Sequence, residues 1–366
     1  SRNFLSSQIS NDNVLIYDIT GAGPLSKLYE YAEFGKSYHV TNPIQMNLGL
    51  VHSLDTDLPV YYKLFPGSIR DTAALKNLAD DLAELGVSNL HILLDPSFFS
   101  EASLSMLSEM HLDFTVSVPM GCTAAKELLL RSHEKIRAPA RTHSFQGEAV
   151  FVYESNLSIN RKSFRAVVYS DYAREVKERS ALYARITEAE EYLNGREYDA
   201  DFVAEFRENH KLLAELLSLR EADGRIVTKR KEANIHNAES KLGRTILLTT
   251  SEESWDKVLA WYRQRNDAEA HFRTVKSSLE GENLSSNESL EGQMYIDFIA
   301  LILRTVLLNR MKKQTLLKNC CVPDIINEMS KLKVVRIGED WRLNELTKKQ
   351  KDYFKALSIT PPIDNY

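Results

Sequence analysis

Residues 261–279, WYRQRNDAEAHFRTVKSSL, are the stretch on which the fold assignment turns. The segment holds neither Gly nor Pro and is rich in Arg, Ala, Gln, Glu and Lys, so it predicts one continuous helix. At about 100° per residue, Tyr262, Arg265, Glu269 and Lys276 project within an arc of roughly 60°. One stripe thus combines an aromatic ring, a carboxylate and two cations. A core-facing stripe is expected to be apolar, which leaves two readings. Either the line is functional, or it is a solvated surface stapled by an Arg265/Glu269 pair at i,i+4.

Upstream, residues 13–20 (NVLIYDIT) form a nearly continuous apolar run that ends in Asp and Thr before GAGP. Such a run between turn residues predicts a buried strand delivering Asp18 at its exit, as a helix cap or as a ligand. Residues 40–54 and 58–65 read as two further strands around the turn DTD, an antiparallel meander. Residues 72–85 are helical. The run at 90–94 is a short buried strand ending at Asp95, residues 100–110 are helical, and 114–119 form another strand. The order is three strands, helix, strand, helix, strand, with a carboxylate at the tips of the first and fourth strands.

The spacing Tyr262-x2-Arg265-x3-Glu269-x6-Lys276 resembles the YREK signature of DDE transposases of the insertion-sequence family four type. Asp18-Ile-Thr20 is similar to that family's Asp-x-Thr, residues 67–71 (GSIRD) to its turn before the first helix, and residues 92–100 to its strand ending in Asp. The resemblance runs over about residues 13–311. It departs after Asp95, where Pro96-Ser97 stand in place of a basic or small residue and a Gly, and Pro96 restricts Asp95 to extended backbone. The resemblance implies an α/β fold, a ribonuclease-H-like mixed sheet flanked by helices and interrupted by an insertion of a β-hairpin and long helices. The expected segments are 1–125 and 244–311 for the catalytic core, 126–243 for the insertion, and 312–366 for a basic helical tail.

The insertion reads as a hairpin at 149–154 and 163–170, then a long charged helical stretch at 171–220 broken at Asn194-Gly195 into two antiparallel helices. From Ala173 to Arg244 there are 14 Lys and Arg against 15 Asp and Glu, which makes a solvated insertion and not a basic clamp. Lys229-Arg230-Lys231 is its one basic cluster. The whole chain carries a net charge of -5, yet Leu301–Lys351 holds 12 Lys and Arg against 5 Asp and Glu, so the positive charge gathers near the end. Cys122, Cys320 and Cys321 make neither a disulfide framework nor a CxxC pair, and a reduced cytoplasmic setting is expected, nucleoid-associated in a bacterium or archaeon. Residues 295–311 are the most apolar, but the longest unbroken run is six residues, which predicts a buried helix and no membrane span. The start at SRNFLSS reads as an internal cut, without a signal peptide or the domain that reads the element's ends.

By resemblance, Asp18, Asp95 and Glu269 are the catalytic carboxylates and ligands of Mg²⁺ or Mn²⁺, as two ions about 3.5 to 4 Å apart. Tyr262, Arg265 and Lys276 hold the transposon end, and Thr20, on the face of Asp18, binds a nearby phosphate or orients a ligand. The implied partners are double-stranded DNA, as terminal inverted repeats and as target, and a second copy of the chain on that DNA. No heptad seam for such a pair is evident. The implied reaction is hydrolysis at the element end and transfer of its 3'-hydroxyl into target DNA, by a cut-and-paste route. Two rivals stand: an inactive or domesticated transposase that only binds DNA, and a ribonuclease-H-like structure-selective nuclease. His91 and His271 are read as structural, and Trp255 and Trp261 as core residues or base-stacking platforms.

Overall fold

The computed structural model describes residues 13–22, 30–34, 44–85, 87, 90–132, 135–279, 286–337 and 340–361. By contact the chain divides into two compact units: one comprises residues up to Leu93 and from Trp261 onward, the other Leu94–Ala260.

The first unit opens with β1 (Val14–Ala22), whose alternating face carries Val14 and Ile16 into a core. After the two-residue β2 (Glu33–Phe34), β3 (Ile44–Ser53) and β4 (Leu58–Pro66) complete the expected meander. β1 pairs antiparallel with β3, and β3 with β4. Helix α1 (Asp71–Glu84) follows, then β5 (His91–Leu94), a hydrogen-bonded neighbour of β1. The His91 amide donates to the Asn13 carbonyl at 3.1 Å, so the two strands are paired at their starting ends and run parallel. First and fourth long strands therefore lie side by side, as expected.

Helices cover both faces of this meander. On the even-numbered face of β4, Tyr62 and Leu64 pack on the core shared with Val14, Ile16, Leu48 and Leu50. On the odd-numbered face, Tyr61 Oη and Lys63 Nζ each lie 2.6 Å from Asp81 Oδ2 of α1. Burial and the Asp81 carboxylate push the Tyr61 phenol up, so it stays protonated and donates. The turn leading to α1 needs Gly67: a Cβ there would stand 2.0 Å from the Gln45 carbonyl oxygen and 2.6 Å from that of Glu33.

In the second unit, α2 (Glu101–Glu109), β6 (Asp113–Ser117) and α3 (Thr123–Ser132) lead to β7 (Thr142–Phe145) and the long hairpin β8 (Glu148–Ile159) and β9 (Lys162–Asp171). Then come α4 (Tyr172–Leu193), α5 (Ala200–Asn209), α6 (Lys211–Leu216), the ribbon β10 (Leu217–Ala222) with β11 (Arg225–Arg230), α7 (Glu232–Glu239) and β12 (Arg244–Thr249). The hairpin is where the sequence puts it. Residues 217–220, expected at the end of a helix, instead open β10, bonded to β11 from Leu217 opposite Arg230 to Ala222 opposite Arg225. β12 bonds to β6 on one side and to β9 on the other, so residues before 126 and after 243 share one set of hydrogen bonds with the hairpin.

The helical stretch has its own core, from Leu182 and Ile186 to Leu217 and Ile226, which is why its surface can be so highly charged. At its base Glu175, with 8% of its side chain exposed, accepts from Arg137 at 2.6 and 2.8 Å and from Arg179 at 2.9 Å.

The chain returns through α8 (Trp255–Leu279) and α9 (Asn287–Lys313) to α10 (Val322–Met329), the ribbon β13 (Val334–Ile337) with β14 (Asp340–Leu343), and α11 (Lys348–Ala356), capped by Thr347. No helix among the described residues is long and apolar enough to cross a membrane. Residues 295–311, expected to form a buried helix, lie in α9, which buries one face only. Leu290, Met294, Phe298 and Leu301 are inside, whereas Tyr295, Ile296, Ile299 and Leu303 are exposed.

Burial raises the Glu175 carboxyl, but its hydrogen bonds to Arg137 and Arg179 outweigh that and hold it below its ordinary 4.5. A depressed carboxylate contributes stability in full above its unfolded value and loses it as pH falls through the folded value. Glu175→Gln is therefore expected to lower stability at pH 7 by about 1 to 3 kcal/mol. The gap to wild type should close as pH falls below 4.5, as followed by urea denaturation across pH.

Candidate active site

The helix bearing the quoted stretch is seated by its core-facing line. Trp261 and Ala268 pack with Val14, Ile16, Leu48, Leu50 and Leu93, and Ala268 is 1% exposed. Trp261 also stacks on His91, with ring centroids 5.1 Å apart, so both rings are part of the packing. Spacings of four and three from Trp261 to Arg265 to Ala268 put Arg265 on this same line, at about 40° from Trp261. Arg265 is accordingly buried, with 7% of its side chain exposed. The Arg265/Glu269 pair at i,i+4 is present, as one expectation had it, but its cation lies in the core and not on a solvated surface.

A buried guanidinium requires a partner. Arg265 Nη2 lies 2.6 Å from Oε1 of Glu269, whose side chain is 34% exposed, and its guanidinium carbon is 5.4 Å from the centroid of the Tyr262 ring. Three of the four stripe residues thus form one assembly. Tyr262 flanks Arg265, and Arg265 holds Glu269 at the edge of the core. The Lys276 and His271 side chains lie outside the described residues. The missed signal was in the sequence: an Arg midway along the Trp261/Ala268 line must be buried with a counter-charge.

Asp18 sits in β1 and is half-buried; its Oδ1 accepts from the Ile19 amide at 2.9 Å. Strand alternation puts it, with Thr20, on the face of Val14 and Ile16, opposite Leu50 and Leu48 of β3. This is the face on which Ala268 packs. Asp95 directly follows β5, with φ -66° and ψ 153°, the extended geometry that Pro96 demands. Its Oδ1 accepts from the Ser97 amide at 2.9 Å and caps the 3-10 turn Pro96–Phe98. Among the described residues, no group of three or more His, Cys, Asp or Glu side chains is gathered closely enough to hold a metal ion. In kind the donor set fits Mg²⁺ or Mn²⁺, because carboxylate oxygens are the ligands these hard ions prefer.

Residues 42–303 match the family model of the transposase DDE domain, roughly seven-tenths of the chain. The matched span contains Asp95 and Glu269 and begins beyond Asp18. No curated protein matches the chain. Among solved structures, the chain is similar to piggyBac transposase in a synaptic complex with hairpin DNA, at 10% identity and a TM-score of 0.40, over 82% of this chain and 49% of that one. The Drosophila P element transposase strand transfer complex gives 14% identity and a TM-score of 0.18, over 40% of this chain and 38% of that one. The chain spans about half the length of the piggyBac chain, and likenesses at these scores carry no weight for fold or function.

If Arg265 is buried chiefly to hold Glu269, its charge and its bulk separate by substitution. Arg265→Ala should lower stability by about 2 kcal/mol by opening a cavity beside Trp261 and Ala268. Arg265→Met, which fills the space without charge, should stay within about 1 kcal/mol of wild type. Urea midpoints of the two variants check this.

Proposed function

Because the chain belongs to the transposase DDE-domain family, we propose that it is the catalytic part of a DNA transposase of the YREK type, related to insertion-sequence family four. Its substrate is the end of a mobile element. It hydrolyses the phosphodiester there to expose a 3'-hydroxyl and directs that hydroxyl at target DNA. Asp18, Asp95 and Glu269 are the proposed catalytic carboxylates, and they would hold Mg²⁺ or Mn²⁺, as two ions. When bound, the ions supply a water of lowered pKa and offset charge on the scissile phosphate.

The observation that carries this reading is the seating of α8. Ala268 anchors the helix on the face of the sheet that also bears Asp18 and Thr20, with Glu269 next in the chain. Asp95 directly follows the strand that neighbours β1. Asp18 stands outside the matched span, and its assignment rests on the first-strand position and the Asp18-x-Thr20 pattern.

In this reading Arg265 is a positioning residue. Its ion pair fixes the aim of the Glu269 carboxylate, and its fork holds that geometry better than a lysine would. Tyr262 and Lys276 contact the backbone of the element end, and Thr20 contacts a phosphate beside Asp18. The basic tail at 312–366 adds sequence-independent attraction for duplex DNA. Residues 1–125 and 244–311 are the proposed core and 126–243 the insertion, and two copies are proposed to act on paired ends.

Asp18→Asn, Asp95→Asn and Glu269→Gln are each expected to lower Mn²⁺-dependent nicking of an end-containing duplex by at least about a hundred-fold, while duplex binding stays within about threefold of wild type. Joining of a pre-nicked end to plasmid should occur with wild type. Nicking without joining would favour a simple nuclease, and binding without nicking would mark a protein that only grips DNA.

A further inference from the structure

Helix α9 is apolar on two opposite sides, and among the described residues one side is buried while most of the other is exposed. At about 100° per residue, Leu290, Met294, Phe298, Leu301 and Thr305 fall within about 40° of Met294, and all five are buried. Ile296, Ile299, Leu303 and Val306 lie about 120° to 200° round the helix from Met294. Of these, Ile296 is 60% exposed, Leu303 65% and Ile299 39%, and Val306 is half-buried. Tyr295, 57% exposed, flanks them.

The order along this second line is regular. Gly292, Ile296, Ile299, Leu303, Val306 and Arg310 are separated by four, three, four, three and four residues, the heptad repeat of a helix-to-helix seam. The seam that the sequence alone does not display is therefore here. It is visible only once Met294, Phe298 and Leu301 are known to face the other way. A Cβ on Gly292 would meet nothing within 4 Å, so a facing helix could approach closely at that end.

The charges say what kind of helix fits. Glu288, exposed in the first turn, and Arg310, exposed in the last, both project on the seam side, at about 120° and 160° from Met294. The seam is thus acidic at one end and basic at the other. A copy of itself laid antiparallel matches it. A two-fold axis between Ile299 and Ala300 sets Ile296 against Leu303 and brings Glu288 near Arg310, and it opposes the two helix dipoles. A parallel copy would set like charges together. The 27 residues of α9 make a face about 40 Å long and about 10 Å wide, roughly half the area per partner of a standard interface.

We infer that the exposed seam of α9 is a self-association surface on which a second copy of this chain docks antiparallel about a two-fold axis, as a weak dimer. The surface stands on the helix alone. Only its use in pairing two DNA ends rests on the transposase reading, so the test is made without DNA.

Sedimentation velocity from about 1 to about 100 µM should show a monomer–dimer equilibrium with a Kd on the order of micromolar. Ile299→Glu and Leu303→Glu should remain monomeric throughout, with helix content unchanged by circular dichroism because both positions are exposed. Glu288→Arg and Arg310→Glu should each weaken the dimer about tenfold, and the double reversal should restore it. A wild type that stays monomeric at every concentration, as it would if a different protein covered the seam, overturns the inference. So does a dimer that survives both glutamate variants, or a double reversal that restores nothing.

Discussion

The position of Glu269 depends on the burial of its neighbours Arg265 and Ala268. Ala268 is small enough to let α8 sit directly on Val14, Ile16, Leu48 and Leu50, and that close seat carries Arg265 into the core with it. A lone buried guanidinium would be costly. Glu269 at i+4 offsets the charge, and the two side chains lock each other, one inside and one at the rim. The role proposed for Glu269 follows from that pairing. A carboxylate is presented at the margin of the sheet's core, on the face bearing Asp18, by a buried cation.

Much of this was legible in the chain. The run from Asn13 to Thr20 announces a central strand because only a strand covered on both faces is apolar at successive positions. The meander, the helix–strand–helix–strand order and the hairpin at 148–171 follow from turn residues and alternation. The spacing of Tyr262, Arg265, Glu269 and Lys276 was legible too, but its setting was not. Treating the stripe by itself hides that Trp261 and Ala268 share a line with Arg265. The same limit affects α9. Periodicity reports how apolar a face is and not whether anything lies against it, so one apolar run reads as a buried helix although it belongs to two different faces. At 217–220 a leucine-rich, charged composition suggested helix, but pairing with β11 prevailed, since propensity is weak where tertiary partners exist.

The second unit shows how a balanced charge count should be read. Its 171–239 stretch folds on its own apolar centre, and its charges are largely spent on one another: Arg137 and Arg179 on Glu175, Arg179 on Glu239, Arg230 on Glu190. A region so internally neutralised offers duplex DNA little net attraction. The basic segment at 301–351, in the other unit, is better suited to that role.

The central claim is that Asp18, Asp95 and Glu269, far apart in the chain, share a divalent cation at the end of a bound duplex. Anomalous scattering from Mn²⁺ in crystals of the chain with an end-containing duplex tests it most directly. The account predicts density about 2.0 to 2.3 Å from carboxylate oxygens of Asp18 and Asp95, with Glu269 completing the set. Mn²⁺ bound elsewhere, with those two aspartates not among its ligands, would contradict it.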